Sequence, residues 1–165
     1  MIKSFKWLSL LLFLFPLFAW SASPSVVLKD LGGKDRNVNE FIGKGKWTVV
    51  AIWAHDCVIC NQEIHQMTFF HDAHKEKDAI VLGVSIDGYA NKADALKFID
   101  KHGLNFTNLI GGPESVAQFH AGRFIGTPTF YIYSPEGALL ATKVGAMTQE
   151  EVEDFINKKT NGKKV

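Results

Sequence analysis

One stretch constrains this 165-residue chain more than any other: Trp47–Trp53 (WTVVAIW) runs directly into Ala54-His55-Asp56-Cys57-Val58-Ile59-Cys60. A continuous apolar, β-branched run without alternation reads as a strand buried on both faces, and so as the centre of a sheet covered by helices. The strand turns at once into a helix predicted to reach about residue 75, with Ile64, Met67 and Phe70 on its apolar face, joined near its start by Val58 and Ile59. The only two cysteines of the chain stand at the head of that helix, three positions apart. First-turn N–H groups are unpaired there and the helix dipole favours negative charge, so a thiolate at Cys57 is stabilised. Cys60 lies about one turn on and can attack a mixed disulfide formed at Cys57. Cys57 is therefore the attacking thiol and Cys60 the resolving one. As a mere staple the pair would close a minimal loop, worth about 2 kcal/mol in the chain-entropy model. Two neighbours act in opposite senses: protonated His55 favours the thiolate, and Asp56 opposes it.

Around this core the pattern is β-rich entry, βαβα, a small helix, then ββα. Residues 26–28 read as a strand, with turns at 30–34 and 43–46. Residues 79–86 (AIVLGVSI) form the second buried strand. Asn91 and Asp94 suit the N-cap and N3 positions of a helix ended by His102-Gly103. Residues 106–110 are extended, and Pro113 opens a small helix through about His120. A hairpin turns at 134–137, and Thr148 with Glu151 makes a capping box for the last helix. No repeat or linker interrupts residues 24–160, which form one domain followed by a basic tail at 161–165.

Residues 1–23 read as a signal peptide or an N-terminal membrane anchor. Lys3 and Lys6 supply the positive end, residues 7–18 the apolar stretch, and Ala19-Trp20-Ser21 a small-x-small cleavage pattern. Pro16 interrupts the apolar run, which is short against the ~20 residues of a bilayer span. The folded part is thus expected to be exported or periplasmic, free or tethered to the inner membrane. Beyond residue 23 there are 16 basic against 17 acidic residues, a balance that argues against nucleic acid as a partner.

At the cysteine pair a family resemblance emerges. WAHDCVIC resembles the Trp-Ala-x-x-Cys-x-x-Cys site of thioredoxin-fold proteins, and the wider chain resembles the TlpA/ResA/CcmG group of exported thiol–disulfide oxidoreductases. Residues 28–34 resemble that group's N-terminal hairpin turn and residues 81–87 its inserted strand. Gly126-Thr127-Pro128-Thr129 resembles the cis-proline loop, and residues 130–145 the closing hairpin. The resemblance covers essentially everything after Ser23. It implies an α/β, thioredoxin-like fold: a central mixed sheet flanked by helices, with an N-terminal β-hairpin extension and an inserted βα element. It also implies that Pro128 is cis beside the pair, that Thr127 contacts substrate backbone, and that Trp53 supports the active-site loop on the substrate side. Ala51 stands where classical thioredoxins carry a buried Asp, so the resemblance passes the acid/base role for Cys60 to Asp87. Protein thiols and disulfides would be the substrates and a membrane thiol transporter the electron donor, with no cofactor and no metal. The chain departs from the group at Asp56 and Ile59, where Trp and Pro are usual before the two cysteines.

The resemblance favours a reductant, and so do the absence of a His between the cysteines and the charge of Asp56. An oxidase or isomerase on the same fold is the first alternative, and a Cu(I) site on the two thiolates is another. Zinc held by Cys57, Cys60, His71 and His74 fails on geometry, because four ligands along one helix span about 25 Å; His65, His71 and His74 are expected on the helix surface. A peroxidase lacks its Pro-x-x-x-Thr-x-x-Cys signature here. A non-catalytic binding module has no use for the second cysteine.

Overall fold

The computed structural model describes residues 23–119 and 124–162. In order the chain forms β1 (Val27–Asp30), β2 (Asp35–Asn37), β3 (Trp47–Trp53), α1 (Val58–Glu63), α2 (His65–His74), β4 (Ala79–Ser85), α3 (Lys92–His102), β5 (Thr107–Ile110), α4 (Pro113–Val116), β6 (Thr129–Tyr133), β7 (Leu139–Val144) and α5 (Gln149–Asn161). The seven strands make one mixed sheet ordered β2-β1-β5-β4-β3-β6-β7. β3 is buried at every position. It pairs in parallel with β4 from Trp47↔Ala79 to Trp53↔Ser85, and antiparallel with β6 from Thr48↔Tyr133 to Ile52↔Thr129.

Alternation along β3 divides the core in two. Val49, Ala51 and Trp53 face Met67, Phe70, Val152 and Ile156, beneath α2 and α5. Val50 and Ile52 face the other way, with Leu82, Val84, Val38, Ile42 and Val116. Each such fully buried side chain contributes about 1.5–3 kcal/mol, so the strand that carries the cysteine loop is anchored on both faces. The Thr148 capping box forms as expected, Thr148 Oγ1 accepting from Glu151 N–H and Glu151 accepting from Thr148 N–H. Pro113 occupies the first turn of α4.

Several expectations change. The helix after the cysteines is two helices meeting at Ile64, where Met67 N–H reaches back only three residues to the Ile64 carbonyl. That tightened turn shifts the face presented by α2 relative to α1. Asn91 and Asp94 take the N-cap and N3 positions of α3 as expected, but Asn91 makes no side-chain cap bond: it ends a 3₁₀ turn and its amide donates to the Asp87 carbonyl at 2.8 Å, while Asp94 pairs with Lys97 at 2.9 Å. Residues 81–87, read as an inserted strand, fall largely within central β4, and the added unit is α3 with β5. β5 extends the sheet in parallel from β4, and the β1–β2 hairpin joins antiparallel beyond it. The small helix stops at Val116, short of His120, which lies outside the described residues. So do residues 1–22, read with Ser23 as a signal peptide or anchor, and residues 163–165 of the expected basic tail. Ser23 itself donates from its hydroxyl to the Ile42 carbonyl at 3.3 Å, close to Gly43 and Gly137. Among the described residues no helix is long and apolar enough to cross a membrane.

Candidate active site

The end of β3 delivers the chain into a tight turn. Cys57 N–H bonds to the Ala54 carbonyl at 3.2 Å, so His55 and Asp56 form the corners of that turn. Cys57 is then the N-cap of α1, with extended dihedrals (φ −71°, ψ 115°), and its sulfur accepts from the Cys60 N–H at 3.1 Å. This places a cysteine sulfur where serine or aspartate oxygens usually sit, aimed at an unpaired first-turn donor. Cys57 and Cys60 are joined as a disulfide with Cα atoms 5.2 Å apart. Cys57 is half-buried and Cys60 is 1% exposed, so an incoming sulfur reaches Cys57 first. Val58 and Ile59, between them, are exposed apolar residues.

The loop is braced by a residue that sequence reasoning did not single out. The Asn61 amide donates to both the His55 and the Cys57 carbonyls, each at 3.0 Å. Its oxygen accepts from Lys101 at 2.9 Å and contacts His102 Nε2 at 3.1 Å, tying the cysteine turn to the end of α3.

Asp87 lies two residues beyond β4, and the β3–β4 register brings it beside His55. Its side chain is only 4% exposed. One oxygen contacts His55 Nδ1 at 2.7 Å, the other accepts from the Ser85 hydroxyl at 2.6 Å, and both lie 3.2 Å from the His55 N–H. Among the described residues the hydrogen bonds of its carboxylate reach His55 and Ser85 and none reaches Cys60. The hydrogen bond that His55 donates to Asp87 holds its imidazole above the usual value, helped by the charges of Asp87, Asp56 and Asp94 and opposed by burial. His55, Asp56 and Asp87 each bring one polar atom within 4.8 Å of the others. Sequence inspection shows opposing neighbours at 55 and 56. The fold adds a second carboxylate, so the imidazole stands between two negative charges.

Trp53 is a correction. Expected on the substrate side, it is fully buried, its indole N–H donating to Asn108 Oδ1 at 3.2 Å and its ring stacked on Phe98 at 4.5 Å. The inward face of β3 ends on it, which places it in the core at the strand end. Thr127 is half-buried and Pro128 buried, with a cis peptide bond between them. Since Ile52 pairs with Thr129, the Thr127–Pro128 segment leaves β6 at the same end of the sheet as the cysteine turn. His71, expected on the helix surface, is buried, its Nδ1 accepting from Val81 N–H at 3.1 Å, because α2 packs directly over β4. His74 is held between Asp78 at 2.9 Å and Glu153 at 3.2 Å. Both His71 and His74 are thus occupied within the fold, away from the cysteines.

Comparison with known proteins places this geometry in a family. Residues 21–142 match the AhpC/TSA family. Sporulation thiol-disulfide oxidoreductase A of Bacillus subtilis (strain 168) is 27% identical over 137 residues, covering 81% of this chain and 79% of that protein. The thiol-disulfide oxidoreductase ResA of Halalkalibacterium halodurans is 27% identical over 132 residues, covering 79% and 70%. Among solved structures, StoA of Bacillus subtilis superposes with a TM-score of 0.64 at 25% identity, covering 82% of this chain and 99% of that one. A thioredoxin family thiol:disulfide interchange protein of Chlorobium tepidum TLS gives 0.69 at 19% identity, covering 82% and 92%. The resemblance drawn from the motifs therefore holds across the domain: the chain belongs to the AhpC/TSA family and is a thiol–disulfide oxidoreductase of thioredoxin fold, with Cys57 and Cys60 at the CxxC spacing.

Proposed function

We propose that the protein is an exported reductant of protein disulfides. Cys57 attacks the substrate disulfide and Cys60 resolves the mixed disulfide. Asp87 is the buried carboxylate that takes up the Cys60 proton, and Thr127 and Pro128 meet the substrate backbone. The charge around His55 carries the direction. A dedicated oxidant stabilises its nucleophilic thiolate and so favours the reduced form. Here the one cation adjoining Cys57 in sequence is flanked by Asp87 and Asp56, leaving the cluster with no net positive charge even when His55 is protonated. A negative surrounding disfavours the thiolate, favours the disulfide, and makes the dithiol the better electron donor.

Export is supported by Lys3, Lys6 and the apolar run at 7–18, with cleavage after Ser21 or retention as a tether. An exported reductant needs electrons from across the membrane, which suits the membrane thiol transporter implied by the family resemblance. Equilibration of the Cys57–Cys60 couple in glutathione buffers is the deciding experiment. The expected potential lies nearer the about −270 mV of thioredoxin than the about −120 mV of a strong oxidant. A value near the latter would make the protein an oxidase and leave the fold and its family unaffected.

A further inference from the structure

We propose that His55 is a positioning residue whose proton is linked to the redox state of Cys57: it holds a proton while Cys57 is a thiolate and releases it when the disulfide forms. Three observations carry this. The Ala54–Cys57 turn fixes His55 two residues before Cys57, and the single Asn61 amide nitrogen clamps the carbonyls of both residues at 3.0 Å. Two residues of chain cannot separate their Cα atoms by more than about 7 Å, which is inside the ~8–10 Å over which salt leaves charges visible to one another. The imidazole cannot swing away freely, because Nδ1 is held at 2.7 Å by a carboxylate that Ser85 fixes from its other oxygen.

The groups facing His55 are Asp87 from the segment after β4, Asp56 from its own turn, and Asp94, Lys97 and Lys101 from α3, which share a shallow cavity with it and Asn61. The three carboxylates favour the imidazolium and the two lysines oppose it. What differs at Cys57 between the two redox states is its charge, a thiolate when reduced and a neutral disulfide sulfur when oxidised.

The reduced site holds a Cys57 thiolate, a Cys60 thiol and a protonated His55. Cys57 attacks the substrate disulfide, forming one S–S bond and expelling one substrate thiolate. Cys60 loses its proton and attacks Cys57 Sγ, forming the Cys57–Cys60 bond and expelling the second thiolate. Two electrons pass to the substrate. Of the two protons its thiols require, one comes from Cys60 and one from His55, which no longer faces a thiolate. Reoxidation of an external dithiol donor runs the same sequence backwards and reloads His55.

The inference rests on Cys57 being the attacking thiol. NMR titration of the His55 ring in the oxidised and reduced full-length protein tests it: the midpoint is expected to be higher in the reduced form. Equal midpoints, or a lower one on reduction, would overturn the proposal. As a second measurement, His55→Gln is expected to slow iodoacetamide alkylation of Cys57 at pH 6.5 by about three- to tenfold. His55→Lys, which keeps the charge, should restore the rate and lose the histidine inflection in its pH profile. An unchanged rate and profile in His55→Gln would also overturn it. If Cys60 is instead alkylated first, the assignment of the attacking thiol fails, a result distinct from an unmoved His55.

Discussion

At the scale of single residues, the two sulfurs differ in access and in partner. Cys57 is half-buried at a helix N-terminus, and Cys60 is sealed beneath it. Cys60→Ser should accumulate mixed disulfides with substrate proteins through Cys57, visible as reducible adducts on non-reducing gels, whereas Cys57→Ser should accumulate none. Adducts on Cys57→Ser alone would reverse the roles. The placement of the cysteine pair at the head of a helix was legible because strand, turn and CxxC are contiguous. Asp87 entered only through the family resemblance. Its contact with His55 was not legible, because it joins residues 32 apart and depends on β4 lying in register beside β3. The opposing influences of His55 and Asp56 could not be ranked without it.

At the scale of elements, one glycine shows how closely the strands behind the site are fitted. A Cβ on Gly83 of β4 would lie 2.0 Å from Asn108 Oδ1 and 2.9 Å from Phe106 Cε2. That oxygen accepts the indole N–H of Trp53, and the Asn108 amide donates to the Phe106 carbonyl. Gly83→Ala must overpack the sheet and push Asn108 off Trp53, leaving a buried donor unpaired. The expected loss is about 2–4 kcal/mol in urea unfolding with an unchanged m-value; a loss under about 0.5 kcal/mol would mean that Asn108 repacks freely. Strand positions were legible from apolar runs, and the last helix from its capping box. The break at Ile64 was not, since no proline or glycine marks it and the apolar spacing continues across it. Asn91 stands at the N-cap position read from the sequence, but its side chain serves the Asp87 carbonyl and caps no helical N–H. The strand–helix order of the domain was therefore legible, while the place of the added α3–β5 unit needed the sheet pairing.

For the whole molecule, pH acts through histidines of opposite sign. Burial holds His71 below its ordinary value, with the charge of Lys75 acting the same way. The unfolded chain then binds more protons than the folded one below an ordinary histidine value of about 6.5, so stability falls as pH drops through that point. His55, raised by Asp87, contributes stability that is present below about 6.5 and lost as pH rises through its folded value. His71→Gln keeps an acceptor for Val81 N–H and removes the titration. The drop in urea midpoint between pH 7.5 and 5.5 should be smaller in that variant than in the native protein. An equal drop would place the acid sensitivity elsewhere, with His102, also lowered by burial, the next group to replace. The bond from Ser23 to the Ile42 carbonyl has a separate, vectorial meaning. Ser23 rests beside the turns at Gly43 and Gly137, where β3 begins, whereas the cysteines follow the residue at which β3 ends. Seven residues of strand separate those poles by about 23 Å. Should the proposed N-terminal tether be retained, the redox centre lies at the pole of the domain opposite Ser23, facing away from the point of attachment.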